Sequence, residues 1–77
     1  MNMKSDIKNI VGENIRKCRQ NLGLSQEELA TKAKLHRTYI GGVERGERNI
    51  TIESLNRITD ALNINIEEVF HEEDKNV

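Results

Sequence analysis

The sequence predicts a compact, all-α, single domain of five helices spanning residues 1–77, on three observations. Apolar residues recur every three to four positions along most of the chain, charged residues (32 %) fill the intervening positions, and proline is absent. A length of 77 residues makes a single core only marginally sufficient, so self-association is a natural extra source of stability.

The elements follow in order. A first helix starts at Ser5 or Asp6, both good N-caps. It sets Ile7, Ile10, Val11, Ile15, Cys18 and Leu22 on one face, with Lys8, Glu13, Arg16 and Lys17 on the other. Gly23 stops it in a left-handed conformation, with Leu24 packing back behind. Ser25 and Glu28 have the spacing of a capping box for a second helix, which runs to about Ala33. Lys34 then stands where a left-handed glycine would be usual, at a cost of roughly 1 kcal/mol. A third helix runs from about Arg37 to Glu44, so that Leu29, Ala30 and Ala33 face Leu35, Ile40 and Val43. Residues 26–45 thereby form a helix-turn-helix, with the small Ala30 at the crossing. Gly46 ends the third helix and a polar loop follows. Thr51 caps a fourth helix that buries Leu55, Ile58, Ala61 and Leu62, and Asn63 is its C-cap. Asn65 caps a short fifth helix, Ile66 to about His71, and the tail is polar.

Several function classes are disfavoured. The single cysteine, Cys18, allows no internal disulfide and fits a reducing compartment. No apolar run approaches the ~20 residues of a membrane span, and no signal sequence is visible; a cytoplasmic protein without membrane contact is expected. Neither His36 nor His71 has a second histidine or a cysteine one helical turn away as a metal-ligand partner, and Cys18 stands on an apolar face. The pairs Glu27–Glu28, Glu67–Glu68 and Glu72–Glu73 are explained by capping and solubility. No glycine-rich phosphate loop occurs. The reading is therefore a non-enzyme with no catalytic residue, metal or cofactor.

Charge position is more telling than the net charge of −1. Residues 1–57 hold 11 Lys/Arg against 7 Asp/Glu (+4), whereas residues 58–77 hold 1 against 6 (−5). The basic part contains the helix-turn-helix. The expected outward face of the third helix, Arg37, Thr38, Tyr39, Gly41 and Gly42, is small, polar and basic. Arg37 suits bidentate bonding to a guanine edge; Thr38 suits a thymine methyl or a phosphate, and Tyr39 a phosphate or a base face. Two helix-interior glycines cost about 1 kcal/mol each relative to alanine, which favours close approach of DNA to the backbone. Gln26 can offer its amide to a phosphate, and Arg45, Arg48 and Asn49 can grip the flanking backbone. His36 has two readings, the helix N-terminal residue or a DNA contact. Any one exposed Arg or Thr is most often a solvated surface residue; it is their joint occurrence that favours DNA. Arg19 and Glu44 are expected to pair behind the third helix, which makes Arg19 structural.

GLSQEELATKAKLHRTYIGGVERGERNITIESLNRITDALNI resembles the lambda-repressor-like (Xre-type) helix-turn-helix family, and RTYIGGVERGERNITIESL within it is most similar to the controller proteins of bacterial restriction–modification systems. The resemblance covers roughly residues 7–70. It implies a five-helix domain, the third helix as recognition helix, and a homodimer on a pseudo-palindromic double-stranded DNA operator. It also implies control of the protein's own gene and the endonuclease gene, activating at low occupancy and repressing at high, with RNA polymerase a further candidate partner. Half-sites would lie about 34 Å apart. Ile64, Ile66, Val69 and Phe70 exceed the obvious needs of so small a core and are candidates for the dimer interface, with ordinary core burial the alternative for each. A phage-type or other Xre-type repressor and an antitoxin-like protein that binds a toxin are the alternative functions.

Overall fold

A computed structural model describes residues 7–72 of the chain. Four α-helices follow one another, α1 (Ile7–Asn21), α2 (Gln26–Ala33), α3 (Arg37–Glu44) and α4 (Ile52–Leu62), and a 3-10 turn (Ile66–Phe70) closes the described chain. No strand occurs among the described residues. The expected fifth α-helix is thus corrected to a 3-10 segment. Asn63 in the left-handed region and extended Asn65 leave only five residues to wind, and so short a segment is suited to i→i+3 bonding. The anticipated caps Ser5 and Asp6 lie outside the described residues.

The helix boundaries have local causes. At the start of α2, Glu28 N–H donates to Ser25 Oγ at 3.0 Å, and Ser25 N–H donates to Glu28 Oε1 at 2.8 Å. This reciprocal pair satisfies two otherwise orphaned amides. Lys34 ends α2 with φ 60° and ψ 43°, the left-handed conformation that the sequence reading required of it. Its neighbour Leu35 donates to the Ala30 carbonyl at 2.9 Å, which closes the turn. Ser54 N–H donates to Thr51 Oγ1 at 3.0 Å at the start of α4. Glu68 Oε2 accepts from Asn65 N–H at 3.0 Å ahead of the 3-10 turn.

Ile15 of α1, Leu29 of α2, Ile40 of α3, Ile58 of α4 and Val69 of the 3-10 turn all have no exposed surface and meet in one core. Each such burial contributes about 2 kcal/mol. Packing α1 on α3 depends on Gly12: a Cβ there would run into the Val43 carbonyl oxygen and stand 2.7 Å from that of Glu44. The sequence reading passed over this glycine. The 3-10 turn is tied to α1 by Asn14, whose Nδ2 donates to the Val69 and His71 carbonyls at 2.7 and 2.8 Å.

Several placements differ from expectation. Leu22 is 54 % exposed, because α1 ends at Asn21 and the chain turns at Gly23 before Leu22 can reach the core. Ala61 is half-buried, and Thr59 is buried on α4 instead, its hydroxyl donating to the Asn56 carbonyl at 3.1 Å. Val69 is enclosed in the core and has no surface to offer a partner. Ile64 and Ile66 are half-buried against the same core, whereas Phe70 is 45 % exposed.

Candidate nucleic-acid interface

Helix α3 is braced from behind and open in front. Behind it, Glu44 is almost entirely withdrawn from water. Its carboxylate accepts from Arg19 Nε and Nη2 at 2.7 and 3.0 Å, and from Gln26 Nε2 at 3.0 Å. The third donor of Arg19, Nη1, reaches the Leu24 carbonyl at 2.8 Å. The expected Arg19–Glu44 pair is therefore present and buried, with its hydrogen-bonding capacity used inside the protein. It also orients Gln26: one N–H of its amide donates to Glu44, which holds the side chain at the start of α2, beside the middle of α3.

In front, Arg37 and Thr38 stand exposed in the first turn of α3, and Tyr39 is half-buried beside them. His36 occupies the N-cap with extended backbone but makes no side-chain cap bond, and its ring is exposed. Its structural role is thus one of position alone. The Arg48 guanidinium carbon lies 5.5 Å from the Tyr39 ring centroid, within cation–π range. An open groove of about 580 Å³ runs between the start of α3 and the start of α4. His36, Thr38, Tyr39, Arg48 and Asn49 all line it. Five side chains nominated from sequence are thereby brought together. Lys34, Thr51 and Ser54 line it as well; the sequence reading used Lys34 and Thr51 only as a turn and a cap. Their polarity, beside the Arg37 end of α3 and beside Arg48, was the available signal.

Gly41 and Gly42 do not lie on an open outward face, as the sequence reading had them; both are buried. The cause is the protein's own polar side chains. A Cβ on Gly41 would stand 3.2 Å from Arg45 Nη1 and 3.5 Å from Gln26 Oε1, and one on Gly42 would stand 2.8 Å from Arg48 Cγ. Arg45 is exposed and its Nε donates to Glu47 Oε1 at 3.1 Å.

A second, mainly apolar groove of about 320 Å³ lies beside the first, and Arg48, Asn49 and Thr51 border both. Around it stand three exposed apolar side chains, Ile7 (48 %), Ile52 (75 %) and Phe70 (45 %). Ile52 was missed because the first residue of a helix is not assigned a face by periodicity.

Among the described residues no side-chain cluster resembles a reaction centre. Cys18 is half-buried against the core; burial, and then the nearby Glu68 charge, push its thiol up, which keeps it protonated and a poor nucleophile at neutral pH. Among the described residues no group of His, Cys, Asp and Glu could hold a metal ion, and no helix is long and apolar enough to cross a membrane.

Comparison with known proteins gives a consistent result. A family model described as helix-turn-helix matches residues 15–69. The control protein C.SmaI of Serratia marcescens is 52 % identical over 61 residues, covering 79 % of this chain and 73 % of the relative. The control protein C.BamHI of Bacillus amyloliquefaciens is 38 % identical over 63 residues, covering 80 % and 78 %. Among solved structures, the restriction-modification controller protein C.AhdI from Aeromonas hydrophila superposes with a TM-score of 0.80 at 41 % identity, over 82 % of this chain and 96 % of that one.

Proposed function

From the premise that the chain belongs to the helix-turn-helix family, as a transcription regulator homologous to restriction-modification controller proteins and not an enzyme, we propose that it acts in the cytoplasm as a homodimer on a pseudo-palindromic operator. In this reading each α3 enters a major groove, Arg37 and Thr38 meet base edges, and Tyr39, Arg48 and Asn49 hold the adjoining strand. Gln26 and Arg45 border the same face at the start of α2 and the end of α3, where phosphates flank the groove. The regulated genes would be its own and that of an endonuclease, with RNA polymerase as the partner in activation.

The observation that carries this reading is the exposed Arg37–Thr38 start of α3 beside the groove lined by Tyr39, Arg48 and Asn49. Each of these polar side chains alone would be ordinary solvated surface; their joint placement at one helix start and along one groove is what supports the reading. The dimer surface we assign to Ile7, Ile52 and Phe70 in place of Val69. That patch gathers three of the four large apolar side chains exposed among the described residues, and it borders the DNA-side groove through Arg48 and Asn49. A two-fold axis there would set both recognition helices on one side of the duplex.

Gel-shift titration against DNA from upstream of the chain's own gene tests the operator. Affinity should fall linearly on a log–log plot against salt, with a slope of about −0.9 per neutralised phosphate; a flat response would point to a protein partner. Sedimentation tests the dimer. The native chain should run as a dimer and Ile52→Glu as a monomer, and a dimer unaffected by Ile52→Glu would reject the assigned surface.

A further inference from the structure

We propose that Gly42 is a positioning residue, whose missing side chain is the seat in which Arg48 lies against Tyr39 and is held at the DNA-facing groove. The inference rests on the DNA reading above but assigns Gly42 a different task from contact with DNA.

The geometry follows from how α3 ends. Gly46 turns the chain with φ 75°; its N–H donates to the Val43 carbonyl at 3.0 Å, and Glu47 N–H donates to the Gly42 carbonyl at 2.9 Å. These two bonds are those of a Schellman turn, which reverses the chain over the last helical turn. Arg48 is thereby carried back across Gly42. A Cβ at that position would stand 2.8 Å from Arg48 Cγ, 2.9 Å from Nε and 3.4 Å from Cδ. Cγ is near the root of the side chain, so the guanidinium alone cannot step aside. The entire side chain would have to leave by rotation about its Cα–Cβ bond, and the stacking on Tyr39 at 5.5 Å would go with it.

Gly41 makes the contrast. The atom nearest a Cβ there is Arg45 Nη1, the far end of a flexible side chain, at 3.2 Å, and the Gln26 amide lies at ordinary van der Waals distance, 3.5 Å or more. Alanine at 41 is thus accommodated by small movements, whereas alanine at 42 evicts a neighbour. A glycine inside a helix of eight residues weakens the helix. At Gly42 that weakness is the condition for a pre-organised arginine, whose planar, rigid donor fork suits a phosphate. Fixing it in advance reduces the ordering cost at binding.

The chain has one Tyr and no Trp, so the Tyr39 ring resonances report the seat directly by NMR. Gly42→Ala, Arg48→Ala and the double variant are compared with the native chain, with Gly41→Ala as a control on the resonances. Gly42→Ala is expected to keep or raise the melting temperature and to shift the Tyr39 resonances as Arg48→Ala does. Gly41→Ala should leave them in place. Operator affinity should fall about tenfold in Gly42→Ala, the scale of one lost charge-assisted contact. The double variant should bind no more weakly than Arg48→Ala. Tyr39 resonances unmoved by Gly42→Ala would overturn the proposal. So would a double variant weakened by the product of the two single effects, because Gly42 would then meet DNA itself. Failure of the underlying reading has a different signature, operator binding unchanged in both Arg37→Ala and Arg48→Ala.

Discussion

The two sides of α3 solve the same problem, close approach, with different materials. On the inner side Gly12 of α1 lies against the Val43 and Glu44 carbonyls, which are fixed parts of the helix backbone. On the outer side Gly42 lies against the Arg48 side chain, which can rotate away. Charge divides in the same manner. Glu44, Arg19 and Gln26 satisfy one another behind the helix, while Arg37 and Arg48 are exposed in front. The inner side therefore has no slack, and a change there should be felt as stability. The outer side has slack, and a change there should be felt as binding.

The largest effect that would test this contrast is on the inner side. Glu44→Ala leaves the buried Arg19 guanidinium without its counter-charge, and stability measured by chemical denaturation should fall by about 3–5 kcal/mol. A loss below 1 kcal/mol would mean that water replaces the carboxylate freely and that the brace is not one. Gly12→Ala comes next, at about 1–3 kcal/mol from overpacking against main chain that must shift. By contrast, Gly42→Ala should be neutral or gain up to about 1 kcal/mol in the same measurement, because helix propensity improves once Arg48 has moved. Equal losses at positions 12 and 42 would erase the distinction between the two sides. The smallest effect is at the turn. Lys34→Gly relieves a left-handed lysine and should gain about 0.5–1 kcal/mol, and a loss would show that the Lys34 side chain contributes an interaction of its own.

Much of the scaffold was legible before any coordinates. Ser25 with Glu28, Lys34 in the left-handed region, the limits of α3 and Thr51 follow from spacing, since caps and i, i+3 or i, i+4 relations are local; the Arg19–Glu44 pair, 25 positions apart, follows instead from the first helix crossing behind the third. The failures are of another kind. Nothing in a linear pattern says that Arg48, six positions on, returns across Gly42 and covers it. Gly12 was overlooked because a glycine in a regular amphipathic helix carries no label for what crosses it. Val69 enters the core and Phe70 stays exposed for a similar reason: one residue's turn of a short 3-10 segment decides which apolar side chain is buried. Local chemistry was readable; apart from the Arg19–Glu44 pair, these return contacts were not.

The same division applies to the interface. Thr38, Tyr39, Arg48 and Asn49 share one groove, as their sequence neighbourhoods suggested, but Lys34, Thr51 and Ser54 joined them only in three dimensions. Arg37 stands outside that groove in the first exposed turn of α3, where a helix laid in a major groove would set its side chain against base edges.

That position makes Arg37 the most direct test of the central claim, that the outer side of α3 reads DNA while the inner side only holds it. The measurement is the ratio of affinities for a duplex selected by the native chain from a random-sequence library and for unselected DNA, taken at one fixed salt concentration. Arg37→Ala should retain the native melting temperature and its binding to unselected DNA to within a few-fold. Its preference for the selected duplex should fall by about 1–3 kcal/mol. An unchanged preference, in a variant that folds as the native chain does, would contradict the assignment of α3 as the reading helix.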